Sequence, residues 1–120
     1  MKQNPVIEVK KLNGKEYIYF TFQGKFLEKD AEKAIGIWAG HFQKGNIARP
    51  HIWDCKEMTG YEPMARIIWQ KAMKELKGNI SKIWLISESP VILAGAKILS
   101  LFTSFDISPV KSENDIANSK

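Results

Sequence analysis

The chain has little cysteine and little arginine, and each shortage excludes a class of protein. Its one cysteine, Cys55, leaves no partner for an intrachain disulfide. Only Arg49 and Arg66 supply the planar guanidinium that grips phosphate or guanine, because the other basic residues are scattered lysines. The formal net charge of +5 therefore predicts weak, salt-sensitive attraction to polyanions and no specific nucleic-acid recognition.

Long apolar runs are also missing. No segment approaches the roughly 20 apolar residues that span a bilayer, and Glu8 and Lys10 interrupt the apolar residues near the amino end. We therefore expect neither a transmembrane segment nor a secretory signal, and a cytoplasmic location. A length of 120 residues, 44% of them hydrophobic, suits one domain, which we place at residues 1–112 with a polar tail at 113–120.

What is present is first a β-hairpin. Residues 6–12 and 15–22 carry strand-forming side chains, and Asn13–Gly14 between them is typical of a type I′ turn. Gly24 is expected to interrupt the pattern after the second strand.

The rest of the chain alternates between helices and strands. The expected elements are helix 28–44 ended by Gly45–Asn46, strand 51–55, helix 63–77, strand 82–87, a helix at 90–104 capped by Ser89, and an edge strand at 107–111. The order ββαβαβαβ predicts an α/β fold with a mixed, mostly parallel five-stranded sheet, an amino-terminal β-hairpin and three to four helices.

Polar residues follow the parallel strands at their carboxyl ends, where open α/β sheets meet ligands and partners. They form a predicted ligand or partner edge: Asp54, Thr59, Glu62, Arg66, Ser87 and Ser89. Asp54 either accepts backbone N–H groups of the loop that follows it or lines a cleft with Thr59, Ser87 and Ser89, and we favour the first. Ser89 is best explained as a helix cap, and Arg66 as a solvated ion pair with Glu62.

The sequence offers no convincing catalytic or metal centre. Cys55 and His51 are four residues apart in a predicted strand, about 13 Å along its axis, which is too far for a nucleophile and its base. His41 is a more distant alternative base, but a buried, inert cysteine is favoured. Together with Asp54 these residues have the side chains of a metal site without its spacing, so we expect no metal and no cofactor.

Four tryptophans are numerous for this length. Trp38, Trp53 and Trp84 are expected in the core. The helices at 63–77 and 90–104 are apolar over more than one face, so each is either buried on two sides or presents a contact surface. We predict a surface for self-association or lipid contact. Its expected residues are Met64, Ile68, Trp69, Leu99 and Phe102.

The element order and several short segments resemble the STAS domain of bacterial anti-anti-sigma factors. The resemblance is closest to uncharacterised single-domain STAS-like bacterial proteins, related in fold to CRAL-TRIO lipid-transfer domains. The segments are Trp53–Asp54, residues 58–62, Ala65–Arg66, Ser89–Val91 and Gly95.

The resemblance implies a non-enzymatic regulatory or ligand-binding module. In the anti-anti-sigma branch, an Asp-Ser-Ser-Gly segment after the third strand carries a phosphorylated serine. The corresponding residues 62–65 are Glu-Pro-Met-Ala, which lack a hydroxyl, and Thr59 is the nearest one.

Three functions stay open, and we favour the first. It is a STAS-like regulatory module that acts through contacts with a protein partner or with itself, as a homodimer. The second is a small-molecule or lipid-binding domain that uses an apolar cleft between helices 63–77 and 90–104. The third is an enzyme at the edge of Asp54, Thr59 and Ser87, where Asp54 would be the only general base.

Overall fold

A computed structural model describes residues 3–42 and 47–117 and contains five strands, four α-helices and one 3₁₀ turn within those ranges. In chain order the elements are β1 (Val6–Leu12), β2 (Lys15–Phe26), α1 (Glu28–Gly40), β3 (Arg49–Tyr61), α2 (Pro63–Glu75), the 3₁₀ turn (Lys77–Asn79), β4 (Ile80–Ile86), α3 (Pro90–Thr103), β5 (Ile107–Val110) and α4 (Glu113–Ala117).

The five strands lie side by side in the order in which the chain visits them, β1-β2-β3-β4-β5. β1 is antiparallel to β2, and every later neighbour is parallel. Because each step moves one strand in the same direction and parallel crossovers are right-handed, α1, α2 and α3 all cover one face of the sheet. The predicted α/β fold with a mixed, mostly parallel sheet is confirmed.

The hairpin turn is confirmed in detail. Asn13 and Gly14 have φ angles of 52° and 79°, the two positive values that a type I′ turn needs. Leu12 and Lys15 are paired directly across it. A glycine and an asparagine adopt this left-handed conformation at little steric cost, so the dipeptide sets the register of the first two strands.

Strands β2 and β3 are both longer than predicted. β2 continues through Gly24, which has a φ of 60° at an irregularity in the pairing, and ends at Phe26. β3 covers residues 49–61, so the segment after Cys55, predicted as a loop, is strand. Its residues bond to the extension of β2, where Phe26 pairs with Tyr61. Residues 56–61 are mostly polar and do not alternate between apolar and polar side chains, so the sequence gives no strand signal there. They are extended because they pair with β2.

Helix ends differ from the predictions by a few residues. α1 ends at Gly40, and the predicted stop at Gly45–Asn46 lies outside the described residues. α2 ends at Glu75, and the 3₁₀ turn leads into β4 at Ile80, two residues early. The cap of α3 is confirmed, since Ser89 Oγ accepts from the Ile92 N–H.

The principal core lies between the sheet and α1–α3 and is rich in aromatic rings. Trp38 stacks on Trp69 with ring centroids 4.8 Å apart and planes 27° apart. Phe20 meets both indoles edge-on, at 5.2 and 5.8 Å. Trp69 is thus core, and its prediction as a surface residue is wrong. Trp84, predicted as core, is half-buried on the other face, where Lys82 Nζ lies 4.8 Å from its ring centroid.

A second, smaller cluster covers the opposite face of the sheet. It joins Tyr17, Tyr19, Ile52 and Ile86 to Ile116 of α4, which is 2% exposed. The sequence predicts a polar tail at residues 113–120, but residues 113–117 form a helix that packs on the sheet through Ile116. One apolar residue in a five-residue helix shows no periodicity, so the sequence pattern could not reveal it.

A candidate pocket beside the strand ends

The carboxyl ends of β2, β3 and β4 lie along one edge of the sheet, and Glu62 ties two of them together. Its backbone N–H donates to Phe26 O at 2.9 Å, and its carboxylate accepts from the Glu28 N–H at 2.7 Å. Glu28 is the first residue of α1, so this carboxylate occupies a free N–H at a helix amino terminus, where negative charge is favourable. Glu62 therefore holds the end of β3 against the end of β2 and the first turn of α1.

Asp54 points away from this edge, to the face that α4 covers. Its Oδ2 accepts from Tyr19 Oη at 2.9 Å and its Oδ1 from the Lys56 N–H at 3.2 Å. The Tyr19 hydroxyl also bonds to the Glu113 carboxylate, so one phenol joins β3 to α4. Burial raises the pKa of Tyr19, and the bonds to Glu113 and Asp54 raise it further. The phenol therefore stays protonated and keeps its donor.

The favoured role of Asp54, accepting a backbone N–H of the segment that follows it, agrees with its bond to Lys56, and the alternative cleft with Thr59, Ser87 and Ser89 does not form. Ser87 Oγ accepts from the Ser89 N–H at 3.1 Å, and Ser89 in turn caps α3. Thr59 is exposed on β3. Throughout residues 3–42 and 47–117, no hydrogen bond joins these hydroxyls to Asp54, whose partners are Tyr19 and the Lys56 N–H.

Arg66 is the residue of this edge whose surroundings differ most from expectation. The predicted ion pair with Glu62 is absent, and the two residues share only the helical bond from the Arg66 N–H to Glu62 O, at 3.3 Å. Within the described ranges the guanidinium forms no hydrogen bond and no ion pair. Arg66 is one of the residues that line an apolar cavity.

That cavity, here named the pocket, has a volume of about 50 Å³ and lies between the sheet, α2 and α3. This is where the sequence predicts an apolar cleft. Its wall comes from β2, β3, β4 and both helices, and Arg66 is the only charged side chain among the described residues that line it. The lining includes Trp53, Cys55, Tyr61, Arg66, Trp69, Gly95 and Ala96.

Tyr61 and Gly95 form one wall of the pocket by direct contact. A Cβ built on Gly95 would lie 2.8 Å from Cε1 and Oη of Tyr61, closer than real Cβ atoms approach. The glycine therefore lets the phenol ring lie against the backbone of α3. A glycine inside a helix costs about 1 kcal/mol relative to alanine, and this is the sequence signal that marks the contact.

Two indole N–H groups in the pocket wall have no acceptor. Nε1 of Trp53 and of Trp69 are buried and unpaired among the described residues. Nε1 of Trp38, by contrast, donates to His51 Nε2 at 3.0 Å. A buried donor without a partner is unfavourable by about 1–3 kcal/mol, and both nitrogens are shielded from the pocket, whose lining is almost entirely apolar.

Cys55 also lines the pocket, but its thiol is not activated. Burial raises the pKa of Cys55, and the negative charge of Asp54 raises it further. The alternative base His41 is exposed at the end of α1. A thiol that stays neutral is a poor nucleophile.

His51 is fully buried and bonded through both ring nitrogens. Nε2 accepts from Trp38, and Nδ1 lies 2.9 Å from Arg49 O, to which it donates. Burial lowers the pKa of His51 to about 4, and the bond to Arg49 O opposes this shift in part. Within the described ranges, no three His, Cys, Asp or Glu side chains come close enough to hold a metal ion.

The predicted contact surface is only partly exposed. Met64 and Phe102 are 47% and 59% exposed, whereas Ile68 is half-buried. Trp69 and Leu99, at 2% and 8%, belong to the core, so their assignment to a surface is wrong. Helices α2 and α3 do expose other large apolar side chains. We define the outer patch as the five exposed ones, Met64, Ile67, Val91, Leu101 and Phe102.

None of the described helices is long and apolar enough to cross a membrane.

Comparison with known proteins places the fold. The sequence matches no family model and no curated protein. Its structure is similar to an uncharacterised DUF3478-family protein with a SpoIIAA-like fold from Shewanella loihica PV-4, with a TM-score of 0.76, 14% identity, and coverage of 96% of this chain and 92% of that one. It is also similar to the anti-sigma factor antagonist SpoIIAA in its unphosphorylated form, with a TM-score of 0.61, 15% identity, and coverage of 93% and 94%. The protein therefore has the SpoIIAA-like α/β fold.

Proposed function

We propose that this chain is a non-enzymatic, cytoplasmic regulatory module that acts through protein contacts, with a second copy of itself as the first partner to test. The observation that carries the proposal is the outer patch on α2 and α3. The fold supports it, since the similar protein SpoIIAA is an anti-sigma factor antagonist.

The outer patch is unusual for an isolated domain. Leu101 is 77% exposed and Phe102 59%, although both belong to a helix whose other face is core. Large apolar side chains mark a site of protein contact where they lie side by side at a surface. A symmetric dimer would bring two copies of the same patch together.

A serine switch is not part of this proposal. Residues 62–65 at the start of α2 offer no hydroxyl, and the Glu62 carboxylate is already engaged by the Glu28 N–H. Thr59 is exposed nearby on β3 and is the hydroxyl to examine for modification. These residues therefore favour a module that binds its partner without being phosphorylated over one that changes partners when a serine is phosphorylated.

Sedimentation velocity over a range of concentrations tests the proposal. We expect the wild type to dimerise and Phe102→Glu to remain a monomer, because a charge in an apolar interface is not compensated. Val9→Glu is the matched control, since Val9 is 45% exposed on β1, away from α3, and should dimerise normally. A wild type that stays monomeric at every concentration contradicts self-association.

A second candidate function is ligand binding, which the pocket between α2 and α3 favours. Its volume of about 50 Å³ is far below the roughly 300–1,000 Å³ of sites for drug-sized ligands. This small volume favours a small molecule over a lipid chain as the ligand. Native mass spectrometry of the protein from its own cells tests whether a small ligand is retained, and apo protein throughout would count against it.

A further inference from the structure

We infer that the outer patch and the lysines beside it bind the surface of an anionic lipid bilayer. This contact goes beyond self-association, although it uses the same exposed side chains. It is carried by the way in which α2 and α3 combine large apolar side chains with unpaired positive charge on one outward surface.

The exposed residues of α2 form a single stripe along the helix. Met64, Ile67, Lys71 and Lys74 follow one another at intervals of three or four residues, so they lie on the same side of the helix. All four are exposed. The first half of the stripe is therefore apolar and the second half is positively charged.

Helix α3 has a similar outward face. Val91, Ala94, Lys97, Leu101 and Phe102 are all exposed, and Lys97 is the only charged residue of the helix. Because α2 and α3 pack against each other over the same core, their exposed faces both point away from the sheet. The two faces together form one surface with apolar side chains from both helices and lysines next to them.

The charge of this surface is almost entirely of one sign. None of the cations of α2 and α3 forms an ion pair with a described residue. Of the acids just outside α3, Asp106 already pairs with Lys82 at 3.4 Å, and Glu88 lies before the first turn. The charged residues within the two helices are one acid, Glu75, and four cations, Arg66, Lys71, Lys74 and Lys97.

This excess of positive charge favours a bilayer over the other occupants. Self-association would bury the apolar side chains but would leave the lysines without opposite charges. A folded acidic partner presents carboxylates at fixed positions, which the planar fork of arginine matches best. Three of the four cations are lysines, whose flexible stems and compact charges suit a fluid array of anionic head groups.

In the bound state the apolar side chains of the outer patch enter the boundary between head groups and acyl chains. Lysines 71, 74 and 97 then lie at the level of the anionic head groups, which their stems allow them to reach. The helices lie along the surface of the bilayer and do not cross it, in keeping with the length of the described helices.

Cosedimentation with vesicles of equal parts phosphatidylcholine and phosphatidylglycerol tests the contact. We expect the wild type to bind these vesicles, to bind pure phosphatidylcholine weakly, and to be released by added salt. Lys71→Gln combined with Lys74→Gln should weaken binding about 25-fold, since each lysine near an anionic surface contributes about fivefold. Lys11→Gln combined with Lys15→Gln is the matched control, because it removes the same charge from exposed positions of the hairpin and should keep most of the binding.

A fluorescent label locates the contact. A fluorophore that brightens in apolar surroundings, attached at Leu101→Cys, should brighten on the mixed vesicles. The same label at Val9→Cys on β1 is the control and should stay dim. The native Cys55 is buried, so labelling is confined to the introduced cysteine.

Each outcome supports or overturns the contact. No binding to the mixed vesicles, equal losses in the two double variants, or a dim label at residue 101 overturns it. Binding of poly-glutamate that Leu101→Gln weakens and vesicles do not displace assigns the surface to an acidic protein instead. A wild type that dimerises in sedimentation but binds no vesicles overturns the bilayer contact alone, whereas one that binds vesicles but stays monomeric overturns self-association alone.

Discussion

Lowering the pH from 8 to 5 should destabilise the fold through His51, because this imidazole is buried in its neutral form. Nε2 accepts from Trp38 and Nδ1 donates to Arg49 O, so a second ring proton would remove the acceptor of the Trp38 bond and place a charge in the core. The folded protein resists that proton until about pH 4, whereas an unfolded chain accepts it near pH 6.5.

The sign and size follow from proton linkage. Between these two values the unfolded state binds the proton and the folded state does not, so the free energy of unfolding falls as the pH falls. For pKa values of 6.5 and about 4, the loss relative to pH 8 is about 2 kcal/mol at pH 5 and about 3 kcal/mol at pH 4. Below pH 4 His51 adds little more. This is a large share of the roughly 5–15 kcal/mol of stability that is usual for a domain.

Urea denaturation at pH 8 and pH 5 measures the effect. His51→Gln can keep both hydrogen bonds but cannot titrate, so it should lose about 2 kcal/mol less than the wild type on acidification. His41→Gln is the control for loss of a histidine; because His41 makes only the smallest contribution to the lowered pKa of His51, this variant should keep most of the wild-type pH dependence. If His51→Gln lost as much stability as the wild type, the buried neutral imidazole would not be the cause.

Three further predictions concern the pocket and α4. Gly95→Ala should destabilise the protein by about 1–3 kcal/mol in urea denaturation, because the new Cβ would clash with Tyr61; a more stable variant, as helix propensity alone predicts, would contradict this. Cys55 should react with a disulfide reagent at pH 8 only after unfolding, since burial raises its pKa; rapid reaction in the native state would contradict it. Tyr19→Phe should cost about 1–3 kcal/mol and increase hydrogen exchange in residues 113–117, because it removes the hydroxyl that bonds to Glu113; unchanged exchange there would contradict it.

Controls for two of these variants are present in the chain. Repeating Gly95→Ala in a Tyr61→Ala background should remove the penalty, because the ring that the Cβ meets is then gone. Tyr17→Phe is the match for Tyr19→Phe, since Tyr17 belongs to the same cluster and its loss of a hydroxyl should leave α4 in place.

The parts of the fold that could be predicted from sequence depend on local signals. Asn13–Gly14 has a conformation that few other dipeptides adopt easily, and Ser89 before Pro90 caps a helix in most settings. The second half of β3 has no such signal. Residues 56–61 are strand because residues 23–26 of β2 pair with them, and that partner lies more than 30 residues away.

The geometry of the candidate site was also hard to predict from the sequence, because it depends on contacts between residues that are distant in the chain. Arg66 and Ser89 could be placed near the strand ends by topology, but the direction of a side chain depends on strand parity and on long-range packing. Asp54 ended on the α4 face with Tyr19, and Trp69 faced inward instead of outward. The broad apolar surface of α2 indicated burial on two sides as well as contact, and the sequence alone did not separate the two.

Because of the sequential strand order, the two faces of the sheet are covered by helices to very different extents. Three long helices shield one side, while five residues anchored by Ile116 and Glu113 shield part of the other. Local opening of so short a segment requires far less free energy than global unfolding. The half-life of the molecule in the presence of a protease should therefore be set by cleavage near residue 113, well before the tryptophan-rich interior is breached.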